Sequence, residues 1–276
     1  MAFFSFSLLE DSLTYLSSQI DPNQKYYSKD IALWKELNNR NKKKRFCEIS
    51  QQNRVNNTNI GKKLLLCLPP RFGLGDAIEY SIATKSIIKS GKFDKVGIAF
   101  CSNHFIIFKD IFKFTNIHPL LISEKEVKSY DTLFHITLEI RALKFQKYKR
   151  SNIAQEICKH FHVPLCDFKF KQKQKTTSNK KTISIFPVST SVIRSLPFNV
   201  IEEIVNKLKD EFQIKIIIDD SSFSKHLQEK NKNHNFILIE PNNIESLIVE
   251  INKINFGIFV DSGPLHIAKC FNKNGI

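Results

Sequence analysis

The alternation of short apolar runs with helical segments is the sequence feature that most limits how this chain folds. It starts at Lys63 and continues to the end of the 276-residue sequence. The apolar runs are rich in β-branched side chains, and each is followed by residues at helical spacing. Strands separated by helices of about ten to fifteen residues favour βαβ units and a mostly parallel sheet. The chain is therefore predicted to be an α/β protein.

The pattern occurs twice, so two Rossmann-like domains are predicted, at residues 61–168 and 182–276. In the first, we predict strands at 64–68, 95–100, 119–122 and 132–136 and helices at 76–90, 104–114 and 152–161. In the second, we predict strands at 183–186, 215–218, 236–239 and 256–260 and helices at 198–212, 222–231 and 243–254. Residues 169–181 are lysine-rich and aperiodic, which is typical of a linker. A ligand is expected in a cleft between two such halves.

Residues 1–60 differ from the rest and are predicted to form a helical and polar extension. Apolar residues at helical spacing, such as Leu9, Leu13 and Leu16, indicate a first short helix, and Tyr27, Ile31 and Trp34 a second. A polar, basic stretch that includes residues 42–45 follows. Its lysines form either a solvated face or a contact with membrane phosphates.

The charge balance favours anionic partners without choosing among them. Lys and Arg number 42 against 27 Asp and Glu, a net charge of +15, and the pI is near 9.5. Nucleic acid, an acidic membrane surface and phosphorylated substrates all fit. However, 24 Phe against one Trp and one Met is the usage of an AT-rich genome, which also produces lysine. The chain shows neither a helix-turn-helix pattern nor the basic-aromatic interleaving of RNA-binding modules.

The cysteines and the N-terminus favour a cytoplasmic protein. Six cysteines are scattered without a C-x-x-C pair, as in a reduced protein. The N-terminus lacks a basic region, and no apolar run reaches the roughly 18 residues of a membrane span. Any membrane contact is thus expected to be peripheral, at the inner membrane. The run from Cys158 through His160 and His162 to Cys166 does not have zinc-site spacing, and we predict a helix end there and no metal.

Residues 256–270 are predicted to form a strand, a tight turn and a helix. Asp261 or Ser262 can cap the helix, and Pro264 suits its first turn. Gly263 allows close approach to the backbone. Free amides at a helix N-terminus favour a phosphate. The alternative is an ordinary, well-capped βα turn.

A glycine-rich turn follows the first strand of the first domain. It contains Gly73 and Gly75 but lacks the third glycine of a dinucleotide fingerprint, because Ile78 stands there. A nicotinamide site is therefore not expected. Asp76 is left as an acidic side chain at the turn, with two interpretations open: a functional carboxylate, or a helix cap.

A hydroxyl-rich loop opens the second domain. Residues 187–197 lie between a strand and a helix and include Thr190 and Arg194. Arg194 can hold phosphate in a bidentate way, or it can be an ordinary surface arginine. Asp219 and Asp220 follow the next strand, where they could bind a ribose or cap a helix.

Together these three turns resemble glycosyltransferase family 9, the lipopolysaccharide heptosyltransferases and their relatives. Gly75 and Asp76 look like the family's Gly-Asp turn. Residues 187–197 match, without a gap, its segment from Pro-Gly-Ala-Ser to Lys-x-Trp-Pro. The run Asp261-Ser-Gly-Pro-Leu-His266 resembles its most specific signature. The resemblance covers residues from about 61 to the end.

The resemblance implies a GT-B fold and an inverting, metal-independent glycosyltransferase without a cofactor. The donor would be a nucleotide-sugar, ADP-linked and carrying heptose in the leading case, and the acceptor a cell-envelope saccharide such as lipopolysaccharide core. By this match Asp76 is the catalytic base that takes the acceptor proton. The matching donor-binding residues are Thr190, Arg194, Asp261, Ser262, Gly263 and His266.

The chain departs from the family pattern in three places and at its end. Arg replaces Lys at 194, Val replaces Gly at 188, and Leu replaces Trp at 196. The family continues beyond the point where this sequence stops, one residue into a predicted strand. Two alternatives therefore stay open: an inactive, shortened glycosyltransferase, and a non-catalytic nucleotide- or nucleic-acid-binding α/β protein.

Overall fold

The computed structural model describes residues 26–27, 61–69, 72–100, 104–120, 122–136, 152–170, 181–189, 192–218, 221–230 and 235–276. The chain divides into two compact units, Met1–Cys166 and Asp167–Ile276. Each unit has its own sheet of parallel strands. Most of the predicted extension 1–60 and of the predicted linker 169–181 lies outside the described residues.

The first unit is built on a four-stranded parallel sheet with the order β4-β3-β2-β6. A short antiparallel pair, β1 with β5, forms a separate two-stranded sheet. The elements are β1 (Tyr26–Tyr27), β2 (Lys63–Cys67), α1 (Leu74–Lys89), β3 (Lys95–Phe100), a π-helical turn (Ile107–Ile111), β4 (Ile117–Pro119), β5 (Ile122–Ser123), α2 (Glu124–Val127), β6 (Thr132–His135) and α3 (Ile153–His160).

Strand β2 is central because its side chains are buried on both faces. Leu64, Leu65 and Leu66 are all fully buried. Parallel sheets covered on both sides require such continuous apolar strands. On one face, Leu65 packs in a cluster with Ile122 of β5 and Val127 of α2. The apolar run of β2 therefore places the sheet, and with it the turn that follows β2.

The second unit is a five-stranded parallel sheet with the order β11-β10-β7-β8-β9. Its strands alternate with helices, as predicted. They are β7 (Thr182–Phe186), α4 (Phe198–Leu208), β8 (Gln213–Ile217), α5 (Ser221–Lys230), β9 (Ile237–Ile239), α6 (Ile244–Lys253), β10 (Phe256–Phe259), α7 (Gly263–Cys270) and β11 (Asn274–Gly275).

Helix α4 packs against this sheet through one apolar face. Ile201 and Val205 are buried in a cluster with both isoleucines of β7 and with Ile214 and Ile216 of β8. Leu208 and Phe212 lie partly buried against the same cluster. The amphipathic face predicted for this helix is therefore confirmed.

Three local predictions were wrong. The strand predicted at 119–122 is two strands, since β4 pairs with β3 whereas β5 pairs with β1. Residues 26–27 of the predicted helical extension are a strand, since their backbone pairs with β5. At the end of the chain, β11 begins at Asn274 and pairs with β10, two residues earlier than predicted.

Four of the six cysteines lie among the described residues, and these four form no disulfide with one another. Cys67, Cys158 and Cys270 are buried and Cys166 is half-buried. Burial, which the sequence predicted for cysteines inside apolar runs, is thus observed at three of these four positions. Among the described residues, no helix is both long and apolar enough to cross a membrane.

Candidate functional site

The first candidate site lies where β2 leads into α1. Gly73 is the N-cap residue and has an extended backbone. Its N–H donates to Oδ2 of Asp76, at 3.1 Å, while its carbonyl accepts the first helical hydrogen bond from Ala77 N, at 3.0 Å. The half-buried Asp76 thus sits in the first turn, near the positive end of the helix dipole. Its capping role is confirmed, and its role as a base stays a prediction.

Gly75, predicted as the turn glycine, lies inside the first turn of α1. The helix starts at Leu74, two residues before the predicted start at Asp76. The reason is the Asp76 side chain, which satisfies the amide of Gly73 and so allows the helix to begin directly after it. Gly73, not Gly75, is therefore the glycine at the junction between the loop and the helix.

His104 also belongs to this region, although the sequence reasoning missed it. It follows β3, which pairs with β2 in parallel, so both loops lie at the carboxyl edge of one sheet. His104 Nε2 lies 3.2 Å from the carbonyl oxygen of Phe72. Burial lowers the pKa of His104, while the Phe72 hydrogen bond and the charge of Asp76 raise it. No sequence signal identifies His104, because the pairing of β3 with β2 is a property of the tertiary structure.

The Phe72 ring contacts three other aromatic rings. Its ring centroid lies 5.4 Å from those of Tyr80 and His104, and 6.2 Å from that of Phe108. Tyr80 and Phe108 are buried in the core of the unit. Edge-to-face and tilted contacts of this kind are stabilising. The Phe72 side chain thereby anchors to the core the loop whose Gly73 N–H donates to Asp76.

The second candidate site lies in the other unit, at the carboxyl ends of β7 and β10. These strands are neighbours in the sheet although three helices separate them in sequence. Such a reversal of strand order is the point at which open α/β sheets bind ligands. The loop after β7 carries Arg194, in a short 3₁₀ turn (Val192–Arg194), and the turn after β10 carries Asp261. The topology thus brings together two segments that the sequence analysis selected separately.

Arg194 and Asp261 are in direct contact. Arg194 Nη1 donates to the Asp261 carbonyl oxygen at 3.0 Å and lies 3.2 Å from its Oδ2. Ser189 Oγ donates to the same carbonyl at 3.3 Å. Both charged side chains are exposed to solvent, Arg194 to 46% and Asp261 to 70%. Because exposed ion pairs contribute only about 0–1 kcal/mol, a phosphate can redirect this guanidinium at small cost.

Helix α7 presents its N-terminus beside this pair. Ser262 is the N-cap residue, but its hydroxyl donates to Val260 O at 3.2 Å and makes no capping hydrogen bond to the helix amides. Gly263 and Pro264 open the helix, and His266 lies in its first turn. An N-terminus without a side-chain cap offers amides and the positive end of the dipole to an anion.

Other predicted residues fall elsewhere. Thr190, Asp219 and Asp220 lie outside the described residues. Cys158 and His160 lie at the end of α3, as predicted. Burial lowers the pKa of His160, whose ring centroid lies 4.5 Å from that of Phe134. Within the described ranges, no three His, Cys, Asp or Glu side chains are grouped so that they could hold a metal ion.

The fold has relatives among solved structures, whereas no protein-family model and no curated protein sequence matches the chain. Escherichia coli heptosyltransferase WaaC, solved with ADP-2-deoxy-2-fluoro heptose, is 9% identical with a TM-score of 0.54, over 77% of this chain and 87% of WaaC. A glycosyltransferase family 9 protein from Veillonella parvula is 10% identical with a TM-score of 0.55, over 78% and 80%. E. coli ADP-heptose LPS heptosyltransferase II is 12% identical with a TM-score of 0.52, over 77% and 83%.

These likenesses define the class of fold. The chain consists of two Rossmann-like α/β units, as in GT-B glycosyltransferases, which confirms the predicted fold class. The particular structures it matches include glycosyltransferase family 9 heptosyltransferases, as the sequence motifs suggested. At 9–12% identity the match concerns the fold, and the reaction is a separate question.

Proposed function

We propose that the protein is an inverting, metal-independent glycosyltransferase. It moves a sugar, heptose in the leading form, from an ADP-linked donor to a cell-envelope saccharide such as lipopolysaccharide core, on the cytoplasmic side of the membrane. The observation that carries the proposal is the contact between Arg194 and the Asp261 turn at the strand-order reversal of the second unit. It supports a diphosphate site in a chain whose fold is that of heptosyltransferases.

The proposed chemistry needs one base and one cationic site. The acceptor hydroxyl attacks the anomeric carbon, its proton passes to Asp76, and the bond from that carbon to the diphosphate breaks with inversion. Negative charge develops on the departing ADP. Arg194 and the amides at the start of α7 stabilise that charge, so no metal is required. Gly263 lets the diphosphate approach the backbone, and the Asp261 turn with Thr190 and His266 completes the donor site.

Replacing Asp76 with Asn tests the assignment of the base. The amide oxygen of Asn can still accept from Gly73 N, so α1 keeps its start, but proton abstraction is lost. We expect the transfer rate to fall by about 10²- to 10⁴-fold with donor affinity nearly unchanged. The measurements are transfer from ADP-heptose and calorimetric binding of the donor.

Asp94→Asn is the matched control. Asp94 is an exposed carboxylate, 67% accessible, at the amino end of β3 in the same sheet, where it lies 4.0 Å from Lys62. The Asp94→Asn variant should transfer sugar at the same rate as the parent protein. The role of Asp76 as a base would be contradicted if Asp76→Asn lost donor affinity and transfer rate to the same degree. It would also be contradicted if Asp76→Asn transferred sugar at the full rate of the parent.

The net charge of +15 favours one alternative, a non-catalytic nucleotide- or nucleic-acid-binding module. Thermal shifts separate the two. At about 200 mM salt, where non-specific attraction of polyanions is weak, the transferase proposal expects ADP to raise the melting temperature while DNA and RNA oligonucleotides do not. Stabilisation by oligonucleotides alone would favour the module. Stabilisation by ADP without transfer to any saccharide would indicate a glycosyltransferase fold without turnover.

A further inference from the structure

One peptide group joins His104 to Asp76. The carbonyl oxygen of Phe72 lies 3.2 Å from His104 Nε2, and the N–H of Gly73 donates to Asp76 Oδ2 at 3.1 Å. These two atoms belong to the same peptide bond, between residues 72 and 73. A planar peptide transmits a constraint from its oxygen to its N–H. The imidazole and the carboxylate are therefore hydrogen-bonded to opposite ends of one rigid group.

The chemistry of the carbonyl determines the tautomer of His104. Because a carbonyl oxygen can only accept, Nε2 carries the proton and Nδ1 has the lone pair in the neutral ring. Nδ1 is buried and has no hydrogen-bond partner among the described residues. A second proton would leave a charged N–H in that buried position. The neutral ring with Nε2–H is thus the form that fits the structure.

We propose that His104 is a positioning residue for Asp76. The His104 side chain donates to the carbonyl of Phe72 and so fixes the peptide group between residues 72 and 73. The N–H of that peptide donates to Asp76 Oδ2, which orients the carboxylate and leaves Oδ1 to accept the proton of the acceptor hydroxyl. The aromatic contacts of Phe72 with His104 and Tyr80, both at 5.4 Å, keep the loop in place. The catalytic part of this inference rests on the proposed function, and the structural part does not.

Glycine labelling with ¹⁵N tests the structural part without any activity. The chain has eight glycines, so the spectrum is small, and Gly73→Ala assigns the Gly73 signal. The Gly73 amide should shift as Asp76 titrates, and Asp76→Asn should abolish that shift. His104→Phe should reduce the shift and speed exchange of the Gly73 amide with solvent. His104→Gln, whose amide can donate to the carbonyl, should restore both.

Gly97 in β3 is the internal control for folding. If its signal stays in place while that of Gly73 changes in His104→Phe, the effect is local. A Gly73 shift and exchange rate identical in His104→Phe and the parent would overturn the proposal. The proposal would also be overturned if His104→Gln did not restore the Gly73 shift and exchange rate that His104→Phe changes, because the proposed role of His104 is to donate a hydrogen bond to the Phe72 carbonyl.

The reciprocal titration checks the same link. Asp76 is the charged group among the described residues whose field acts on His104, where it favours the protonated ring. Asp76→Asn should therefore lower the pKa of His104 further, as measured from the ring ¹³C shifts. An unchanged His104 pKa in Asp76→Asn would contradict coupling between the two side chains.

Kinetics tests the catalytic part. His104→Phe should lower kcat by about 10- to 100-fold at an unchanged KM for the donor, and His104→Gln should recover most of the loss. A donor KM that rises with kcat unchanged would overturn the positioning role. If the parent shows no transfer, the proposed function fails, while the Gly73 measurements still decide whether His104 holds the Asp76 loop.

Discussion

Three histidines of the first unit, His104, His118 and His160, are half-buried. Burial is the largest cause that lowers the pKa of His104, His118 and His160. For His118, the charge of Glu126 partly opposes this effect. The His160 ring centroid lies 4.5 Å from that of Phe134 and 5.0 Å from that of Phe161, and a charged imidazolium would be poorly solvated beside these apolar rings. These rings are neutral in the fold at pH values where the unfolded chain already binds protons.

We therefore predict that the free energy of unfolding falls as pH drops below the unfolded histidine pKa of about 6.5. With folded pKa values below that of the unfolded chain, the unfolded state binds more protons and stability rises with pH. Urea titrations at about pH 7.5 and about pH 5.5 measure the loss. In His160→Phe the loss should be smaller, because one titrating group is removed. Equal stability of the parent at both pH values would contradict the prediction.

Tyr130 shows how a glycine serves one buried side chain. The Tyr130 hydroxyl lies 2.6 Å from His118 Nε2, and Lys95 Nζ sits 4.1 Å from the ring centroid. Burial, with the nearby Glu126 and Cys67, raises the pKa of Tyr130 to about 12. A Cβ on Gly97 would come within 2.2 Å of the hydroxyl oxygen. Gly97 thus leaves the space that this hydrogen-bonded tyrosine fills.

Gly97→Ala should destabilise the first unit by about 1–3 kcal/mol, because the buried ring has to move. The measurement is the urea midpoint. The control is a double-mutant cycle with Tyr130→Ala, in which the added methyl group should cost much less once the ring is gone. Additive costs in the double variant would show that the Tyr130 contact is not the cause.

At the scale of elements, α4 tests what holds the second unit together. Ile201 is fully buried against the strands of its own sheet, whereas Asn206 on the same helix is exposed. We predict that Ile201→Ala lowers the free energy of unfolding by about 2–5 kcal/mol, since it removes buried methylene and methyl groups and leaves a cavity. Asn206→Ala should change it by less than about 0.5 kcal/mol. Equal changes in the free energy of unfolding for the two variants would contradict a stabilising role for the apolar face of α4.

At the scale of the whole molecule, charge sets the background against which any specific ligand is measured. A chain with a net charge of +15 attracts polyanions in general. Affinity for an oligonucleotide of arbitrary sequence should therefore fall by orders of magnitude between about 50 and 200 mM salt. If ADP binds at the proposed site formed by Arg194 and the α7 amides, its affinity should fall much less over the same range of salt concentration. Fluorescence anisotropy at the two salt concentrations checks this, and equal salt dependence would remove the support for a specific ADP site.

The sequence by itself determined the order and type of most elements. Period-two and period-3.6 patterns are local, so residues such as Ile201 and Val205 predicted the buried face of α4 correctly. The same patterns failed at Pro119 and at residues 26–27, where pairing with a distant strand decided the outcome. The α/β class, the two sheets and the turns that end β2, β7 and β10 were all predictable because each follows from neighbours along the chain.

Only the tertiary structure decided which of these turns meet within each unit. The placement of β7 beside β10 brings Arg194 to Asp261, and the placement of β3 beside β2 brings His104 to the Phe72 carbonyl. Strand order depends on how helices cover a sheet, a non-local choice that no window of sequence contains. For that reason Asp76 and Arg194 were predicted from their own turns, whereas the partner of Arg194 and the role of His104 had to be found in the fold.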